Sequence, residues 1–134
     1  MINFQLAQEM IDKAFKMAAE KYQRPICVAI CDNYGFLIAF ARMDGAPIRS
    51  IEISQGKAYT SARMCVNTNA FLERLHRENI PASYFCDEKL TGLAGGSIFK
   101  DAGGNIIGAG GVSGLTSGED QEIADMMAEI AKQA

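Results

Sequence analysis

Arg42 and Asp44 stand two residues apart at the end of the apolar run FLIAFARMD, where a loop would display them. An arginine there can grip a carboxylate with two parallel N–H bonds, and Asp44 offers a counter-contact. The plainer alternative is an ion pair that stabilises the turn before Gly45. Lys57, between Gly56 and Ala58, is a second anion contact, a desolvated amine or an ordinary solvated helix lysine. Ser113 and Gly114 close a glycine-rich segment just ahead of a helix whose free N–H groups suit an anion. Together these residues define an expected ligand pocket near Arg42, Asp44, Lys57, Ser113 and Gly114. His76 is the only imidazole, between Leu75 and Arg77 on a charged stretch.

Catalysis has little to build on. A general acid or base needs a group tuned toward neutral pH, and only Lys57 or Asp44 in a dry pocket meets that need. A nucleophilic scheme needs a serine or cysteine beside a base, and a single histidine on another segment does not supply it. The residues therefore favour a non-catalytic binding protein. The alternative is a small enzyme acting on a carbonyl or carboxylate metabolite through Lys57 and Asp44.

The glycines of NIIGAGGVSG invite a phosphate-loop reading, which their spacing does not support. A dinucleotide fingerprint needs glycines at i, i+2 and i+5; counted from Gly108, the third position is Ser113. Gly56-Lys57 is followed by Ala58 and lacks the glycine of a Walker loop. Glycines inside a strand more often mark a place where another backbone comes close. Thr116 with Glu119, or Ser117 with Asp120, then has capping-box spacing for the last helix.

These residues need a scaffold of helices and hairpins. A helix is expected over 3–23, with Leu6, Ala7, Met10, Ile11, Ala14, Phe15 and Ala18 on one side, ending at Arg24-Pro25. PICVAICD and FLIAFARM form a hairpin around Asn33-Tyr34-Gly35. Strict alternation puts Phe36, Ile38 and Phe40 on one face and Leu37, Ala39, Ala41 and Met43 on the other. A strand apolar on both faces belongs to a sheet covered on both sides, by helices or by another subunit.

Further helices are expected from a Ser50 cap to Cys65, over Ala70 to Glu78 and over Glu119 to Lys132, with a second hairpin, SIFK and NIIGAGGV, before the last. Residues 82–94 carry no readable period. The methionines fall mainly on inward helix faces, as adaptable core packing.

The chain, 134 residues long, is read as a single domain over 1–134. No apolar run approaches the ~20 residues a membrane span needs, so no membrane partner is expected. A net charge of −3 without a basic patch argues against nucleic acid. MINFQLAQEM lacks the features of a secretory signal, which leads to a cytoplasmic expectation. Cys27, Cys31, Cys65 and Cys86 are accordingly read as free, buried apolar thiols.

VAICDNYGFLIAFARMDGAPIRSIEISQGKAYTSA and GGSIFKDAGGNIIGAGGVSG, followed by the helix with Asp120, resemble the GlcG/HbpS family. That family includes the C-terminal domain of PduO-type cobalamin adenosyltransferases. The run Arg42-Met43-Asp44-Gly45-Ala46-Pro47 followed by Lys57-Ala58 is the most specific part. The resemblance implies an α+β fold, an antiparallel sheet sandwiched by helices in a profilin-like, three-layer α/β/α arrangement. It implies homo-oligomers, dimers or higher forms such as octamers, and haem or another tetrapyrrole as a ligand in some members. It also implies a link to glycolate, glycerol or propanediol catabolism. The first helix carries no histidine, so His76 is the residue best suited to haem iron here, with Arg74 and Arg77 beside it for propionates.

Overall fold

The computed structural model describes all of residues 1–134. Helix α1 (Phe4–Met17) starts where the Asn3 side chain accepts from the Leu6 amide and buries Ala7, Met10, Ile11 and Ala14. It runs on into a wider π turn over Ala18–Tyr22, which Gln23 ends in the left-handed region at φ 56°. Lys21 and Tyr22 of that turn both reach Glu122 near the other end of the chain.

Strands β1 (Cys27–Cys31) and β2 (Leu37–Arg42) form the first hairpin. Its turn is held by Asp32, whose carboxylate accepts from the Tyr34 and Phe36 amides. Helix α2 (Arg49–Met64) and helix α3 (Thr68–Glu78) follow. A 3₁₀ turn at Ala82–Phe85 leads to β3 (Gly96–Lys100) and β4 (Ile106–Ser113), and helix α4 (Ser117–Lys132) closes the chain. The four strands pair antiparallel in the order β2-β1-β4-β3.

One face of this sheet carries the main core, in which α1 and α4 pack Met10, Ile11, Ile123 and Met127 against Val28, Ile30, Phe99 and Val112. The opposite face carries α2 on small residues: Ala58 and Ala62 rest on Ala29, Cys31 and Ala109. The result is the three-layer α/β/α arrangement expected above. Thr116 and Glu119 make the full capping box of α4, whereas Ser50 caps nothing: α2 begins after Ile48, and the Ser50 side chain turns inward.

Two further expectations change. The register slips between Ile30 and Cys31, so that Cys31 pairs with Leu37 while Ile30 pairs with Ala39. Ile38 is the extra residue of a bulge; it joins Ala39 in the α1 core, and Leu37 moves to the face of Phe40. The four thiols are free, but only Cys27 and Cys31 are buried; Cys65 and Cys86 are exposed at left-handed helix and turn ends.

Candidate functional site

Helix α2 touches backbone where it crosses β3 and β4. A Cβ built on Gly111 would lie 2.6 Å from the Ala58 nitrogen and closer still to the Ser54 carbonyl; one on Gly96 would lie 2.6 Å from the Lys57 carbonyl. Gly96 and Gly111 therefore admit a helix, while Gly108 and Gly110 make room for the Cys31 carbonyl and the Phe99 ring.

This approach drives Lys57 into the interior. Its ammonium donates to the Val112 carbonyl at 2.8 Å and to the Asp120 carboxylate at 3.1 Å, with side chains only 3% and 4% exposed. The other oxygen of Asp120 accepts from the Leu115 amide at 3.1 Å. Burial pulls the Lys57 amine below its ordinary range, opposed by the charge of Asp120. It pushes the Asp120 carboxyl up, opposed by Lys57. The pair locks α2 to the start of α4. Beside it the Gln121 side chain accepts from the Gly95 amide at 2.8 Å and donates to the Gly96 carbonyl at 2.9 Å, which fixes the entry to β3.

The other polar candidates gather at the same end of the sheet. Ser113 pairs across β1 with Cys27, which pairs on its other side with Arg42, so the three share a row. The buried Ser113 hydroxyl donates to Ser50 at 3.0 Å. Gly114 has φ +135°, and a Cβ there would come within 2.7 Å of the Pro25 carbonyl, so its role in the backbone is steric. Arg42 and Asp44 are both exposed and make no ion pair with each other. The carboxylate at Lys57 is Asp120, not Asp44.

His76 is exposed on α3, and Arg74 beside it pairs with Glu78 and lies over the Phe85 ring.

At the hairpin-turn end of the sheet lies a cleft of about 530 Å³, a size that holds a small ligand or cofactor. Phe36 and Leu37 form one wall, Ile53, Gly56 and Tyr59 of α2 a second, and the segment Glu88 to Thr91 a third. That segment is pinned to α2. The Tyr59 hydroxyl donates to Asp87 at 2.6 Å, and the Thr91 amide donates to the Thr60 hydroxyl at 2.9 Å. Arg63 and Lys89 lie over the Tyr59 ring, 4.8 Å and 5.4 Å from its centre. The bond to Asp87 holds the Tyr59 phenol above its ordinary range and Asp87 below its own. At the floor the Cys31 thiol donates to the Ala58 carbonyl at 3.4 Å, and burial pushes it up to about 12.

Sequence reasoning missed this cleft because its third wall comes from residues without a period. Its one visible signal is Tyr59, the only aromatic residue in an α2 otherwise rich in small side chains.

An antiparallel sheet between helical layers, with a cleft beside one helix, defines a small α/β/α domain. The model of the family described as "Haem degrading protein HbpS-like" matches residues 2–129, and the chain belongs to that family. Protein GlcG of Escherichia coli (strain K12) is 33% identical over 112 residues, 81% of each chain. Among solved structures, the crystal structure of HbpS matches with TM-score 0.85 and 27% identity, covering 96% of this chain and 89% of that one. The crystal structure of a PduOC:haem complex matches with TM-score 0.84 and 24% identity, covering 96% and 94%.

Proposed function

We propose that this protein is a non-catalytic, cytoplasmic binding or accessory protein whose cleft beside α2 takes a small ligand with a flat apolar body, a tetrapyrrole first among them. The cleft itself carries this reading. Phe36, Leu37, Ile53 and Leu90 supply apolar walls for a ring, and its open side lets polar substituents stay in water. The haem named for the family and for the PduOC relative supports the class of ligand.

The fit to haem is divided. Its ring suits the walls, but its iron finds no ready partner. His76 lies outside the cleft, the Cys31 thiol is spent on Ala58, and the Tyr59 hydroxyl on Asp87. Titration of the protein with haemin should give a saturable shift of the Soret band, and Ile53→Asp should abolish it. An unshifted band removes tetrapyrroles from the reading.

A small organic anion held by Arg42 is the second reading, favoured by a guanidinium that has no carboxylate partner at the end of β2. Arg42→Ala should then weaken binding of a carboxylate ligand by about 1.5–3 kcal/mol. An enzyme using Lys57 and Asp44 is disfavoured, because the ammonium is enclosed and already engaged by Val112 and Asp120.

Self-association belongs to the same proposal. Strand β2 is an edge of the sheet, and Phe36 and Leu37 are 66% and 54% exposed beside it. A second copy on this edge would cover the apolar surface that the sequence assigns to a covered strand. The same proposal includes a supporting role in glycolate, glycerol or propanediol catabolism, the link that the family resemblance implies.

A further inference from the structure

We infer that the cleft recognises the ring of its ligand and not a metal, so that an iron-free tetrapyrrole binds as tightly as haem. This rests on the proposal that the cleft is the ligand site. Axial ligation of haem iron needs an imidazole, thiolate, thioether or phenolate donor with a free lone pair facing the ring. The two such atoms in this cleft belong to a thiol and a phenol that keep their protons and direct them to other acceptors, so neither is a thiolate or phenolate. Cys31 lies at its floor, 2% exposed, with its S–H directed to the Ala58 carbonyl.

Tyr59 is the better placed, but its hydroxyl is turned to Asp87 at 2.6 Å, and its ring is flanked by Arg63 and Lys89. Breaking that bond would also unpin the segment that forms the third wall. No methionine or histidine lines the cleft. What the lining does offer a macrocycle is contact area from Phe36, Leu37, Ile53 and Leu90, which does not depend on the metal.

The charges agree with this. Glu52 and Glu88 line the cleft against the single cation Lys89, whose ammonium already rests on the Tyr59 ring. The propionates of a porphyrin therefore gain no strong anchor and point outward, and the ring alone carries the affinity.

The full chain would be titrated in parallel with haemin and with protoporphyrin IX lacking iron, followed by absorbance and porphyrin fluorescence. Dissociation constants within about threefold of each other, and a bound haemin spectrum without the features of a strongly ligated low-spin iron, are the expected result. Iron-free porphyrin binding about tenfold or more weaker than haemin would overturn the inference while leaving the cleft as a haem site. A low-spin spectrum lost in His76→Ala, or a phenolate-to-iron charge-transfer band lost in Tyr59→Phe, would overturn it in the same way. Binding of neither compound would bring down the parent reading as well. Ile53→Asp and, should that variant fold poorly by circular dichroism, Leu90→Asp must weaken both ligands alike. A folded variant that binds either ligand at full strength places it elsewhere and overturns the inference.

Discussion

The two flanks of α2 differ in what lies beneath them. Toward β3 and β4 the strands present Gly96, Ala109 and Gly111, so that the helix backbone settles on strand backbone and encloses the Lys57–Asp120 pair. Toward β2 the strands present Phe40 and Leu37, and the helix stands clear, leaving the cleft and an uncovered edge. One helix thus acts as a structural lock on one flank and as a cleft wall on the other. The small residues of β3 and β4 decide which flank is which. On the locked flank the charges are enclosed in the fold, whereas on the open flank Asp87, Arg63 and Lys89 gather around Tyr59 at the rim of the cleft.

Breaking the locked flank should cost most. Lys57→Met leaves the Asp120 carboxylate buried without its cation, and loss of one partner of a buried pair costs about 3–5 kcal/mol. Urea denaturation should show that loss, and Asp120→Asn added to Lys57→Met should recover part of it. If Lys57→Met were neutral in stability, the lock would be the wrong description.

Gly111→Val tests the same flank without touching charge. Its Cβ would collide with the Ser54 carbonyl and the Ala58 amide, which are main chain and cannot swing aside. Destabilisation of about 3 kcal/mol or more is expected, at the upper end for overpacking. The same substitution at Gly104, whose Cβ would meet nothing but whose φ is +84°, should cost only the smaller backbone strain of about 1 kcal/mol.

The fold was legible where periodicity carried it. The four helices and both hairpins can be read from spacing, the last cap only as Thr116–Glu119 or Ser117–Asp120, of which the structure takes the first, and the glycines of β4 correctly signal a close layer. The bulge at Ile38 was not legible, because one extra residue in an apolar strand leaves no mark in composition. Lys57 was open to three readings because its partner lies 63 residues away, and only the approach of α2 to β4 brings the two together. The open flank was hidden for a different reason: Glu88 to Thr91 have no period, and their position comes from single bonds to Tyr59 and Thr60.

Tyr59→Phe should release that segment from the open flank. The cost to global stability is no more than about 1 kcal/mol, since the Tyr59–Asp87 bond is open to solvent and screened. The local effect is larger, and hydrogen exchange of the amides of residues 87–91 should quicken. The same bond sets a pH window. Asp87 is held below its ordinary 3.8, so its contribution is complete above that value and is lost as the pH falls through the lowered one. Tyr59 is held above its ordinary 10.0, so its contribution is complete below that value and is lost as the pH rises through the raised one. Protection of residues 87–91, taken as the exchange rate relative to the intrinsic rate at each pH, should therefore be highest across the neutral range and fall at both ends. In Tyr59→Phe it should be low throughout, and a variant still protected at neutral pH would mean that Thr91 alone holds the wall.

The smallest change in stability, and the one that bears most on assembly, is expected at the outer edge of β2. Leu37 is 54% exposed, so Leu37→Asp should alter the stability of the single chain by no more than about 0.5 kcal/mol. Charge on an edge strand is also a recognised way to prevent strands of separate chains from pairing. If a second copy covers this edge, the variant should fall in solution mass by light scattering while its circular dichroism stays that of the parent. Leu37 itself lines the cleft and pairs with Cys31 at its floor, so the same change also alters the binding wall. Ligand affinity that falls together with mass would mean that Leu37 serves both the wall of the cleft and the contact between copies. Affinity that holds while mass falls would mean that each chain binds alone, with the open flank serving assembly and recognition through separate residues.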